Sequence, residues 1–200
     1  FGFPVYPLNW EENGLVYTGF SEEGYLPEAL KNYLAFLGWS NDKEKEVYKM
    51  EDLINDFDIT NINKSGAKFD PEKLLWLNSQ HIQLMSDEDL SKIISAQMDV
   101  DPKKSIFIAE LIKPRLEKLS GLKDTFNYLI EKPNFDTKIL QKFRNSEVKE
   151  NLNIAVDFFR GHTVIDASNL KQSMFSFLKE KNIKPGKIMP AIRVALVGKL

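Results

Sequence analysis

Two hundred residues without a cysteine exclude a disulfide framework and thiolate metal sites, and point to a reducing cytoplasm. A formal charge of -2 excludes wholesale attraction to nucleic acid, so any RNA contact has to come from local patches. No apolar run reaches membrane-spanning length, no signal peptide is visible, and the length allows one large domain or two small ones with real cores.

The first twenty residues read as a β-hairpin. Phe3 to Trp10 and Leu15 to Phe20 are rich in aromatic and β-branched residues, and Asn13-Gly14 supplies the positive φ of a tight turn. Pro4 and Pro7 lack the amide hydrogen that a central strand donates, so this strand is expected at an edge. The chain opens on Phe1 rather than methionine, as a piece of a longer protein would. From Pro27 the period turns helical, with Leu30, Tyr33, Leu34 and Leu37 at three-and-four spacing and Gly38 as a stop. Leu53, Ile54 and Phe57 mark a second helix. Asp70 is placed to cap a third, with Pro71 at its first position, which turns Leu74, Leu77 and Ile82 to a core.

Ser86-Asp87-Glu88-Asp89 resembles a capping box ahead of Leu90, Ile93 and Ile94, and a division into residues 1–85 and 86–200 is placed just before it. Asp101-Pro102 opens a helix striped by Ile108, Leu111 and Ile112. Pro114 breaks or kinks it at Lys113, so Arg115 emerges at a bend. Further amphipathic helices are expected over 122–130, 139–143, 148–159, 166–178 and 185–196. The fold class is therefore mainly α, with an N-terminal β-hairpin.

Two readings stand for the basic loop Lys64-Ser65-Gly66-Ala67-Lys68. It could meet an anion at the positive end of the Asp70 helix, or it is the solvated lead-in to a capped surface helix. Neither histidine, His81 or His162, has a partner at metal-ligand spacing; they read as a helix-end and a loop histidine. There is no nucleophile elbow and no Gly-x4-Gly-Lys-Ser/Thr phosphate loop, and Asp56/Asp58 and Asp87/Asp89 belong to helix ends. The chain itself is expected to be non-catalytic.

Four motifs in order give a more specific reading. Gly24-Tyr25-Leu26-Pro27-Glu28-Ala29-Leu30 with Asn32 to Trp39, Lys64 to Ile82, Lys113-Pro114-Arg115 with Leu119, and Gly186-Lys187 through Arg193 to Gly198 together resemble the part of bacterial glutamyl-tRNA synthetases that follows the catalytic domain. The resemblance implies a helical stem-contact domain over 1–85 and an α-helical anticodon-binding domain over 86–200 that runs on past the chain. Glutamate tRNA is then the partner, with no DNA, no membrane, a cytoplasmic location and a monomer. It also implies that ATP and Mg belong to a catalytic domain whose two short motifs are not in this sequence. No cofactor is expected in the fragment, and the fragment alone is expected to be inactive in attaching glutamate to tRNA.

Carried over by position, Arg115 matches the arginine that reads the third anticodon base. A planar guanidinium suits a base edge, although an exposed arginine paired with Glu110 or Glu117 describes the same residue. Arg193 matches an arginine that stacks on an anticodon base, or is a solvated charge beside Ile192. Lys64, Lys68, Lys73 and Lys187 would contact the tRNA backbone. Three positions depart from the family pattern: Pro190 is shifted by one, Val197 replaces a common threonine, and His81 a common tyrosine. The alternative of another class is a helical protein-interaction module anchored by Trp10, Trp39 and Trp76.

Overall fold

The computed structural model describes residues 4–41, 43, 45–63, 66–135, 137–161 and 167–199. Their contacts gather into two compact units, Phe1–Thr125 and Phe126–Leu200. Helices predominate, as the periodicity predicts, with one small sheet among the described residues. The break between units by contact lies forty residues after Met85, so the helices that follow Ser86 up to Thr125 share the first unit's packing.

The first unit begins with β1 (Trp10–Glu12) and β2 (Leu15–Tyr17), antiparallel with Trp10 opposite Tyr17. Asn13 and Gly14 both have positive φ, the primed turn that matches the twist of two strands. The first strand is shorter than predicted. Pro4 and Pro7 cannot donate to a ladder, and the segment instead presents the Tyr6 and Pro7 carbonyls to the amides of Phe20 and Ser21 at 2.9 and 3.0 Å.

Five helices follow: α1 (Pro27–Gly38), α2 (Met50–Asp56), α3 (Pro71–Leu84), α4 (Asp87–Met98) and α5 (Pro102–Ile112). Asp70 caps α3 by accepting from the amides of Glu72 and Lys73, Ser86 caps α4, and Asp101 caps α5. The α1–α3 contact buries Phe20, Tyr25, Tyr33, Leu74 and Leu77. Leu34 faces solvent instead, because the inward stripe of α1 runs through Ala29, Asn32 and Tyr33. Ile54, Phe57 and Leu111, also expected inward, are exposed; Leu53 and Ala109 take the buried positions. Helix α4 packs on α5 through Leu90, Ile94 and Met98 against Ile108, Ala109 and Ile112. The run predicted as one helix over 122–130 is a five-residue helix, α6 (Leu122–Phe126), followed by a 3-10 turn at Asn127–Leu129.

The second unit contains α7 (Thr137–Phe143), α8 (Ser146–Arg160), α9 (Ala167–Glu180) and α10 (Pro185–Val197). Its core joins Ala155 and Phe158 of α8, Met174 and Leu178 of α9, and Ile188 and Ile192 of α10. Gly198 closes α10 with φ +82, in a spot where a Cβ would run into the backbone of Asn134.

Candidate nucleic-acid interface

The Lys113-Pro114-Arg115 segment is where the predicted bend occurs. Helix α5 ends at Ile112, and the next three residues form a 3-10 turn. The two cations of this turn are used differently. Lys113 is turned inward, its ammonium donating to the Met85 carbonyl at 2.6 Å and to Asp87 at 2.8 Å, which clamps the turn to the α3–α4 junction. Arg115 is exposed, and among the described residues no ion pair occupies its guanidinium. The expected alternative partners, Glu110 and Glu117, do not pair with it.

Behind Arg115 the backbone is held by a buried asparagine. Asn78 of α3 is fully buried; its amide donates to the carbonyls of Glu117 at 2.6 Å and Gly24 at 3.1 Å, while its oxygen accepts from the Leu26 amide at 2.7 Å. Three chain segments therefore meet on one side chain. Gly24 is required there by its φ of +84 and because a Cβ would collide with the Leu119 and Ser120 backbones. Lys118 adds an ion pair to Glu23 at 2.9 Å and lies over the Tyr25 ring. Burial pulls this ammonium down, but the hydrogen bond and charge of Glu23 together with Tyr25 leave it above the ordinary lysine value. Sequence reasoning missed Asn78, Lys113 and Lys118 as supports, because an internal polar residue betrays its partners only when the loops are folded back.

The remaining lysines are placed as follows. Lys64 lies outside the described residues. Lys68 is exposed and lines a hollow of about 260 Å³ with Tyr33, Phe36, Asp70 and Lys73. Lys73 is already engaged, pairing with Glu46 and lying 4.3 Å from the Trp76 ring centre. Lys68, Lys73 and Arg115 belong to the first unit, Lys187 and Arg193 to the second. Arg193 is exposed on α10 with no ion pair among the described residues. Lys187 pairs with Glu147 at 2.8 Å in full solvent, and that hydrogen bond raises its pKa. Of the three tryptophans, Trp39 is core, at 2 % exposure, while Trp10 and Trp76 reach the surface.

His81 lies in the last turn of α3, as expected. It is buried, and its Nε2 bonds to Asn32 Oδ1 at 3.0 Å. Since that oxygen also accepts from the Tyr48 amide and the Asn32 amide group donates to the Glu46 carbonyl, the ring nitrogen is the donor. Burial lowers its pKa, partly opposed by Glu28. Among the described residues no three His, Asp or Glu side chains gather as a metal site would need. No described helix is long and apolar enough to cross a membrane.

Comparison with known proteins agrees with the motif order. Residues 72–200 match the family model of an anticodon binding domain, and residues 14–76 that of the catalytic domain of class I tRNA synthetases (E and Q). A glutamate–tRNA ligase of Christiangramia forsetii is 34% identical over 210 residues, covering 100% of this chain and 41% of the relative. One of Cytophaga hutchinsonii is 34% identical over 206 residues, covering 98% and 40%. The crystal structure of a glutamate tRNA ligase from Elizabethkingia meningosepticum in complex with its amino acid matches with a TM-score of 0.77 at 34% identity, over 100% of this chain and 41% of that one. The chain thus spans about two fifths of the length of the curated relatives it matches.

Proposed function

The chain belongs to the glutamyl-tRNA synthetase family, and we propose from that premise that it grips a glutamate tRNA, with Arg115 reading the third base of the anticodon. The observation that carries the reading is the exposed, unpaired guanidinium on a turn whose backbone is fixed by Lys113 and Asn78, within residues matched to the anticodon binding domain. A base-reading group has to be held before the base arrives, because ordering it on binding would use up affinity. Arg193 would stack on an anticodon base, and Lys68 and, after exchanging Glu147 for a phosphate, Lys187 would supply backbone contacts; Lys73 would first have to leave Glu46. Lys64 belongs with them on sequence grounds. The activity of the relatives, joining glutamate to tRNA with ATP, is proposed for the whole protein. This chain alone is expected to give no glutamate-dependent pyrophosphate exchange, with no cofactor of its own, and to act in the cytoplasm as a monomer.

The test is binding of the chain to a glutamate tRNA transcript across a salt series, beside an unrelated tRNA. Preference for the glutamate tRNA with a falling log affinity against log salt is expected. Arg115→Gln should narrow the gap between two transcripts differing only at the third anticodon base by roughly ten-fold, and Arg115→Lys should not restore it, because a point charge lacks the planar fork. Equal loss on both transcripts makes Arg115 a phosphate contact. No loss on either removes it from the interface.

A further inference from the structure

We propose that the outward face of α5, centred on Phe107, is a stacking surface for an unpaired base of the same tRNA loop that Arg115 contacts. The proposal rests on the tRNA-binding reading and adds a site to it. On α5, Ser105, Ile108, Ala109 and Ile112 are turned to the core. The opposite face carries Lys103, Lys104, Phe107 and Leu111 in steps of three and four, and leads directly to Pro114 and Arg115. Phe107 is 64% exposed, more than any other described phenylalanine, and Leu111 beside it 42%.

Charge decides which partner fits. Lys103 and Lys104 precede the ring by four and three positions on the same face and Arg115 follows the end of the helix, and among the described residues none of the three is in an ion pair; Glu110, at the border of the face, is the opposing carboxylate. Asp101 is used as the α5 cap. An aromatic ring between unpaired cations suits an unstacked nucleotide, whose base covers the ring while its phosphates meet the ammonium groups. The five residues to the end of α5 and the three of the 3-10 turn separate Phe107 from Arg115, so the base over Phe107 is a neighbour in the loop, not the base that Arg115 reads.

The experiment places 2-aminopurine at anticodon-loop positions flanking the third anticodon base and measures affinity and fluorescence with the full chain. Phe107→Leu keeps the apolar volume and removes the π face; Phe107→Trp enlarges it. Expected are quenching at one loop position in the wild type, its loss with at least five-fold weaker binding in Phe107→Leu, and both retained in Phe107→Trp. Unchanged affinity and quenching in Phe107→Leu, in a chain that still prefers glutamate tRNA, overturn the stacking site while leaving the tRNA reading intact. Absence of wild-type binding to any tRNA overturns the reading itself. A wild-type dimer that Phe107→Leu turns into a monomer, with tRNA affinity unchanged, makes the face a protein interface and overturns the proposal.

Discussion

Residues 1–125 bury Asn32, Asn78, His81, Ser91 and Ser105, whereas in 126–200 Asn151 is the buried polar side chain among the described residues. The difference follows from what each unit has to hold. In the second, four helices satisfy their own backbones, and an apolar cluster from α8, α9 and α10 is enough to pack them. In the first, irregular segments at 20–26, 45–49 and 116–121 run against helices, and their amides and carbonyls need partners once removed from water. Asparagine is suited to this because one side chain both donates and accepts. Asn78 ties 24–26 to 117, and Asn32 ties 46–48 to α1 and α3. Polar burial in the first unit therefore fixes loops, and the loop that carries Arg115 is one of them.

Asn78→Ala should have the largest effect, because it strands the Leu26 amide and the Glu117 carbonyl and leaves a hole in α3. A loss of about 4 kcal/mol is expected from two or three unpaired buried groups. All three tryptophans lie in the first unit, so the denaturation midpoint by tryptophan emission reads that unit alone. Leu178→Ala, in the second unit, removes a fully buried side chain of the apolar cluster and should destabilise by about 3 kcal/mol. Helical circular dichroism should register it more strongly than tryptophan emission. Equal shifts by both probes would mean a single cooperative structure, and the contrast between the units would dissolve.

Much of this was legible in the sequence, and the failures have a common cause. The caps at Asp70, Ser86 and Asp101 and the bend at Pro114 are local chemistry, readable from neighbouring residues. So were the core leucines of α3, which a three-and-four period marks. Leu34 and Leu111 obey the same period and still face out, because the direction of an apolar stripe depends on which helix arrives beside it. At the candidate interface, Arg115 was visible through its proline. Its supports, Asn78 and Lys113, bond to residues 39 and 26 positions away and leave no local mark. Phe107 was passed over for a related reason: an exposed aromatic cannot be told from a buried one until the packed face is known.

His81 gives the smallest and most specific test of polar burial in the first unit. Burial lowers its pKa below the ordinary 6.5, so the unfolded chain takes up the proton first as pH falls. The histidine's contribution is complete above about pH 6.5 and is lost as pH drops through the folded value, with a slope no steeper than about 1.4 kcal/mol per pH unit for one group. His81→Gln makes the effect separable from the carboxylates, because a glutamine Nε2 can donate to Asn32 Oδ1 from nearly the same place and does not titrate. The measurement is the urea midpoint by tryptophan emission between pH 7.5 and 5. Wild type should fall away from the His81→Gln variant once pH passes below 6.5, and the two should run parallel above it. Parallel curves throughout would mean that the ring stays hydrated enough to charge in place, and that Asn32 is held by Tyr48 and Glu46 without needing a neutral partner.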